Sequence, residues 1–109
     1  MTDKERELAK QLLEKTNAKT IPWEPTADEN EFVAAFRGQA TFTVFRTKGG
    51  SFGLIMRDPE NREMITLGPL DDWMPDGALL SDLYKVAHDS ALRVEETLDS
   101  ILNDLKRAS

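Results

Sequence analysis

One apolar stripe governs what this chain can become. Leu80, Tyr84, Ala87, Ala91, Val94, Leu98, Ile101 and Leu105 follow one another at gaps that alternate four and three without a break. That period belongs to one face of a single continuous helix. Leu79, Leu83, Leu92 and Leu102 widen the stripe beyond a strict coiled-coil seam, as a helix laid on a sheet requires. About 28 residues at 1.5 Å each give a helix of roughly 42 Å, against roughly 20–23 Å for a six- or seven-residue strand. The helix must overhang any sheet it packs on. Its far end, Leu98, Ile101, Leu102 and Leu105, then needs another cover, either an earlier helix of the same chain or a second copy. These four residues are the candidate oligomer contact.

The sheet is written in the middle of the chain. ATFTVFRT (40–47) alternates Phe42 and Val44 against Thr41, Thr43 and Phe45; KGG makes a turn; SFGLIMRD (51–58) alternates Phe52, Leu54 and Met56 against Gly53 and Ile55. A second turn, DPENR, leads into the shorter strand EMITLG. Before the hairpin, TADENEFVAAFRG reads two ways. Thr26 and Glu29 fit a capping box and Phe32, Val33 and Phe36 share a helical face, but Phe32, Ala34 and Phe36 also alternate as in a strand. Earlier still, Leu8, Ala9, Leu12 and Leu13 predict a short amphipathic helix from Asp3 to about Thr16. In AKTIPWEPT, Pro22 and Pro25 forbid helix and favour an extended linker with Trp23 packed down. The expected fold class is α+β: an N-terminal helix, an antiparallel β-meander of three or four strands, and a long C-terminal helix packed on the sheet. Residues 1–109 form one domain in this reading, long enough to bury a core unaided.

The layout LLEKTNAKTIPWEP, then short alternating strands, then LYKVAHDSALRVEETLDSILNDL resembles that of a group of small uncharacterised bacterial proteins. The likeness rests on Leu12 and Leu13 before Trp23, and on Leu83, Tyr84, Ala87, Ala91, Leu92, Val94, Leu98 and Asp99 in the helix. It implies a strand for Phe32 to Arg37 and a bacterial setting, and no activity.

Composition narrows function by exclusion. The formal net charge is −6, and residues 71–109 hold most of it, with nine acids against four bases. Binding to phosphate backbones needs clustered Lys and Arg, so nucleic acid is not the expected partner, whereas a basic protein is compatible. Arg37, Arg46, Lys48, Arg57 and Arg62 do lie among five phenylalanines, but a domain this small needs those rings for its core. There is no cysteine, which removes disulfides, thiolate zinc sites and thiol nucleophiles. The charged start MTDKERELAK is neither signal peptide nor membrane span, so the expected location is the cytoplasm and no membrane partner is expected.

No residue constellation announces catalysis. His88 is the only histidine, beside Asp89 on the helix, and reads as a dispensable solvated residue. GxSxG, P-loop, GxGxxG and HExxH patterns are missing. The neighbouring Glu95 and Glu96 diverge by about 100° on a helix, so neither a metal site nor a cofactor is expected. The second sheet face, with Val33, Ala35, Phe45 and Ile55 beside threonines, is more apolar than a solvated face needs to be, and predicts a cover by the first helix or a partner.

GPLDDWMPDGALL (68–80) stands apart, because two prolines bracket Trp73 and Met74 among three acids. Asp71 and Asp72 cannot be buried unpaired, so they must reach water, and Trp73 is expected to fold back over the mouth of the core as a loop anchor. Asp71, Asp72, Trp73, Met74 and Asp76 are the candidate partner-binding residues, an acidic docking lip. The functional expectation is a non-enzymatic bacterial accessory protein, of the inhibitor, antitoxin, immunity or chaperone kind. It would bind another protein through the acidic C-terminal helix and the Trp73 loop. The alternatives are a self-associating structural module, a homodimer built on the helix overhang, and, less favoured, an enzyme of unknown class.

Overall fold

A computed structural model describes residues 1–108 as an α+β fold of two helices and five strands. Helix α1 (Asp3–Asn17) starts on a capping box, with Thr2 accepting from the Glu5 amide and Glu5 accepting from the Thr2 amide. Strands β1 (Glu24–Pro25), β2 (Glu31–Phe36), β3 (Ala40–Arg46), β4 (Ser51–Arg57) and β5 (Glu63–Asp71) follow, and helix α2 (Pro75–Arg107) closes the chain. The sheet is an antiparallel meander in chain order. It therefore has five strands where the sequence predicts three or four. The added strand is Glu24–Pro25, whose two residues pair with Val33 and Phe32. A proline is tolerated there because β1 is an edge.

Register divides the sheet into two faces. Phe32, Val44 and Leu54 lie opposite one another across β2, β3 and β4, and Leu54 opposes Leu67 of β5. With Phe42, Phe52 and Ala34 they form the face buried under α2, which supplies Leu80, Leu83, Tyr84, Ala87 and Ala91. The small Ala87 and Ala91 let the helix backbone approach the sheet closely. Helix α1 lies on the same side and in the same direction as α2. Its first turn is tied to α2 through Arg6 and Asp76, and its last residues, Thr16 and Asn17, share a groove with Asp89 and Ser90.

Trp23 is fully buried between these layers. Its indole Nε1 donates to Thr16 Oγ1 at 2.8 Å, and that hydroxyl donates to the Leu12 carbonyl at 2.6 Å. The relay satisfies the indole and fixes the chain's return from α1 to the sheet. Pro22 and Pro25 make that return extended, as the sequence predicts.

Of the two covers expected for the second sheet face, α1 is not the one, because it sits on the core side with Ala9 and Leu12. On this face Val33, Phe45 and Ile55 are half-buried and Ala35 is exposed. The ring of Phe45 lies across Gly53 so tightly that a Cβ there would fall 2.1 Å from the ring. Arg57 donates to Thr43 Oγ1 at 3.2 Å, and Thr43 is buried. The Phe45 ring thereby shields the backbone at its cross-strand glycine.

Gly77 explains the glycine in MPDGALL. The end of β5 crosses the first turn of α2 so closely that a Cβ on Gly77 would lie 1.8 Å from the Asp71 carbonyl oxygen. Since that obstacle is backbone, Gly77→Ala is expected to cost at least about 2 kcal/mol by denaturant unfolding. Ser81 is the contrasting case. Its hydroxyl is buried without a hydrogen-bond partner, so Ser81→Ala should be neutral or stabilising by up to about 1 kcal/mol in the same assay.

Candidate functional site

The segment Gly68–Leu80 is strand, short link and helix rather than a long loop. β5 runs to Asp71, only Asp72, Trp73 and Met74 connect, and Pro75 opens α2 at its first turn, where its missing N–H is no loss. The link is tight: the Met74 amide donates to the Asp71 carbonyl at 3.1 Å, and the Ser51 hydroxyl donates to the Asp71 carboxylate at 2.6 Å. Three residues leave no slack for Trp73 to reach the core. Its side chain stands out at 78 % exposure, which corrects the expectation that it folds back, and Trp23 is the ring that plugs the core instead.

The five lip residues separate. Asp71, Asp72 and Trp73 are exposed, Met74 is half-buried, and Asp76 turns towards α1. Arg6 grips Asp76 with two donors, Nε to Oδ1 at 3.0 Å and Nη2 to Oδ2 at 3.3 Å, and the amino group of Met1 lies 3.6 Å from Oδ2. Hydrogen bonding to Arg6 holds the Asp76 carboxyl below the usual carboxylate range and raises Arg6 in turn. Asp76 is a clasp between the two helices, a partnership that sequence separation hid.

The far half of α2 is the larger feature. All residues from Leu92 to Ala108 are exposed, including Leu98 at 54 % and Leu105 at 63 %. The reason is length: α1 spans about 22 Å and α2 about 50 Å, so α1 runs out beside Ser90. The cover that the sequence assigns either to the first helix or to a second copy is not supplied by α1. The protruding tail gives an overall extent of 54 × 30 × 25 Å and a radius of gyration of 15.1 Å, above the about 13 Å of a compact chain of this length.

The two candidate surfaces do not adjoin. Leu98 lies 25 residues beyond Trp73, about 37 Å along the helix, so the lip and the tail cannot form one patch.

Little here is arranged for chemistry. The His88 ring packs edge-on against Phe32 at 5.3 Å and stands 3.4 Å from Asp89 Oδ1, so it is partly a packing residue rather than a purely solvated one. Burial beside Phe32 and Phe52 pushes the Tyr84 phenol up. Among the described residues no three His, Asp or Glu side chains gather as a metal site would need, and no helix is long and apolar enough to cross a membrane. Two open grooves flank α1. One of about 440 Å³ is lined by Asn17, Ile21, Asp89, Arg93 and Val94, and one of about 610 Å³ by Leu8, Lys15, Pro22 and Phe36. Comparison with protein families, curated proteins and solved structures yields no match.

Two outcomes follow from this geometry. Trp73→Ala should cost less than about 0.5 kcal/mol in thermal melts, where a core tryptophan would cost about 3 kcal/mol or more. The Asp76 clasp contributes stability above the unfolded carboxyl pKa and loses it as pH falls through the lower folded value. The stability gap between the native chain and Asp76→Asn should therefore be full at neutral pH and shrink below about pH 4, checked by melts across that range.

Proposed function

We propose that this chain is a non-enzymatic bacterial accessory protein, working in the cytoplasm, that acts by protein–protein contact through the distal face of α2. The observation that carries this reading is the apolar stripe from Val94 to Leu105, which continues the core face of the helix yet faces water. Exposed apolar side chains scattered singly need no explanation, whereas four at coiled-coil spacing on one face form an organised surface. The helical spacing is that of helix-in-groove or helix-on-helix recognition.

To test it, the native chain and Leu98→Glu with Leu105→Glu are used as paired baits in proximity labelling within the host. The paired variant should stay folded, because both positions are exposed, and should lose at least one protein that the native chain retains. Identical protein sets from both baits would remove the reading.

A second reading is favoured by the exposure of Trp73 beside Asp71 and Asp72: a separate acidic docking lip at the opposite end. Attraction by exposed acids is screened by salt with a Debye length near about 8 Å at physiological ionic strength. Asp71→Asn with Asp72→Asn should slow association with a basic partner by several-fold at low salt and little at high salt, without altering thermal stability. An unchanged association rate at low salt would assign the segment a purely structural role.

A further inference from the structure

We propose that the groove between α1 and the open end of β2 holds an extended, acid-flanked segment of a partner protein, added to the sheet as a strand beside Ala35. This site is separate from the distal face of α2 and does not rest on it. Backbone pairing, groove shape and charge each bear on it.

The ladder leaves one residue of β2 open. The Arg46 amide donates to the Asn30 carbonyl and the Thr47 amide to the Ser51 carbonyl, each at the end of its strand pair. Alternation along an antiparallel ladder then turns Phe32, Ala34 and Phe36 towards β3, and Glu31, Val33 and Ala35 outwards. Val33 is paired with Glu24 of β1, and the Glu31 amide turns back to the Asp28 carbonyl at 3.2 Å. Ala35 alone keeps both an outward N–H and an outward C=O without a ladder partner among the described residues. Strand β1 cannot reach it, because the Trp23 amide donates to the Ile21 carbonyl in a tight turn that sends the indole into the core.

Sheet edges are ordinarily guarded, and the contrast with β5 is informative. The outer edge of β5 carries Glu63, Pro69 and two register shifts, which spoil it as a template. The stretch Ala34-Ala35-Phe36 has neither proline nor charge. Beside it lies the groove of about 610 Å³, within the size range of small-ligand and peptide pockets. Leu8, Leu12, Ile21, Phe36 and Phe42 give it an apolar lining, and Phe36 is still 37 % exposed. Residues opposite one another in a ladder share a face, so an incoming residue paired with Ala35 points away from the groove. The residues on either side of it point in. An apolar pair at i and i+2 therefore suits the site, as in strand addition generally.

Charge selects what flanks that pair. Lys15 and Arg37 line the groove, no acid does, and neither cation is engaged in an ion pair among the described residues. Arg37 is held at the rim over the Phe36 ring, 5.2 Å from its centroid. On a chain of net charge −6, two free cations at one groove favour a ligand of the opposite sign.

The probe is an end-capped peptide of two glutamates, valine, threonine, valine and two glutamates, titrated into the isotope-labelled full chain and followed by amide NMR. It reads the same both ways and so serves either strand direction. The amides of residues 34–37 and of 8–15 should shift, and exchange of the Ala35 amide should slow at least ten-fold at saturation. The same peptide with lysine for glutamate should bind at least ten-fold more weakly at low salt. Ala35→Pro removes only the outward donor, since β3 does not use that N–H, and should weaken the acidic peptide at least ten-fold. Lys15→Gln with Arg37→Asn should weaken it several-fold; asparagine suits position 37, where φ is +49°. If Ala35→Pro does not fold, the charge variant and Ala35 exchange in the native chain still decide. No shift up to about 1 mM peptide, or shifts confined elsewhere, would overturn the site. Unchanged Ala35 exchange would overturn strand addition, and equal binding of the lysine peptide would overturn the acidic partner. Groove amides that shift with protein concentration alone would give the edge to a second copy and overturn the partner protein.

Discussion

Every other element of this fold packs on the first half of α2, so the structure depends on the apolar face from Leu80 to Ala91 of that 33-residue helix. Leu80, Leu83, Tyr84, Ala87 and Ala91 bury that face against the sheet and α1. Burying side chains of the larger kinds contributes about 1.5–3 kcal/mol each, which holds the near half of α2 helical beyond what local propensity would sustain. The same face continues past Ala91 with Val94, Leu98, Ile101 and Leu105, larger groups than the Ala87 and Ala91 just before them. A helix cannot change its repeat halfway, so the distal stripe keeps the angular position of the core stripe and points the same way.

Where the cover stops is decided at the other end of the chain. The Arg6–Asp76 clasp aligns the starts of α1 and α2, and the Trp23–Thr16–Leu12 relay turns the backbone into the sheet just after α1 ends. Together they fix α1 in register with the near half of α2. A longer α1 would have hidden the tail; fifteen residues with a buried indole at the exit cannot. The exposed stripe is thus a consequence of how the helices are clamped.

Much of this was legible in the residues, and what was not has identifiable causes. The long helix and the β3–β4 hairpin follow from periodicity, which survives folding because one face of each is buried. Strand β2 was ambiguous by its own pattern, since Phe32, Val33 and Phe36 fit the helical period while Phe32, Ala34 and Phe36 fit the strand period, and pairing with β3 decides it. β1 was missed because two residues carry no period at all. The exposure of Trp73 and the burial of Trp23 were not separable by composition, as both sit between prolines. What separates them is chain length: three linking residues hold Trp73 outside, whereas Trp23 follows a longer return that lets it reach the hydroxyl of Thr16. Asp76 looked like part of an acidic lip because its partner, Arg6, lies 70 residues earlier.

The separation of tail and lip constrains how both are used. Within one chain they stand about 37 Å apart, so a small partner touching Trp73 gains nothing from the aliphatic stripe. A single partner touching both surfaces would have to be extended over that distance, because the rigid rise of α2 fixes the separation whatever the two ends bind.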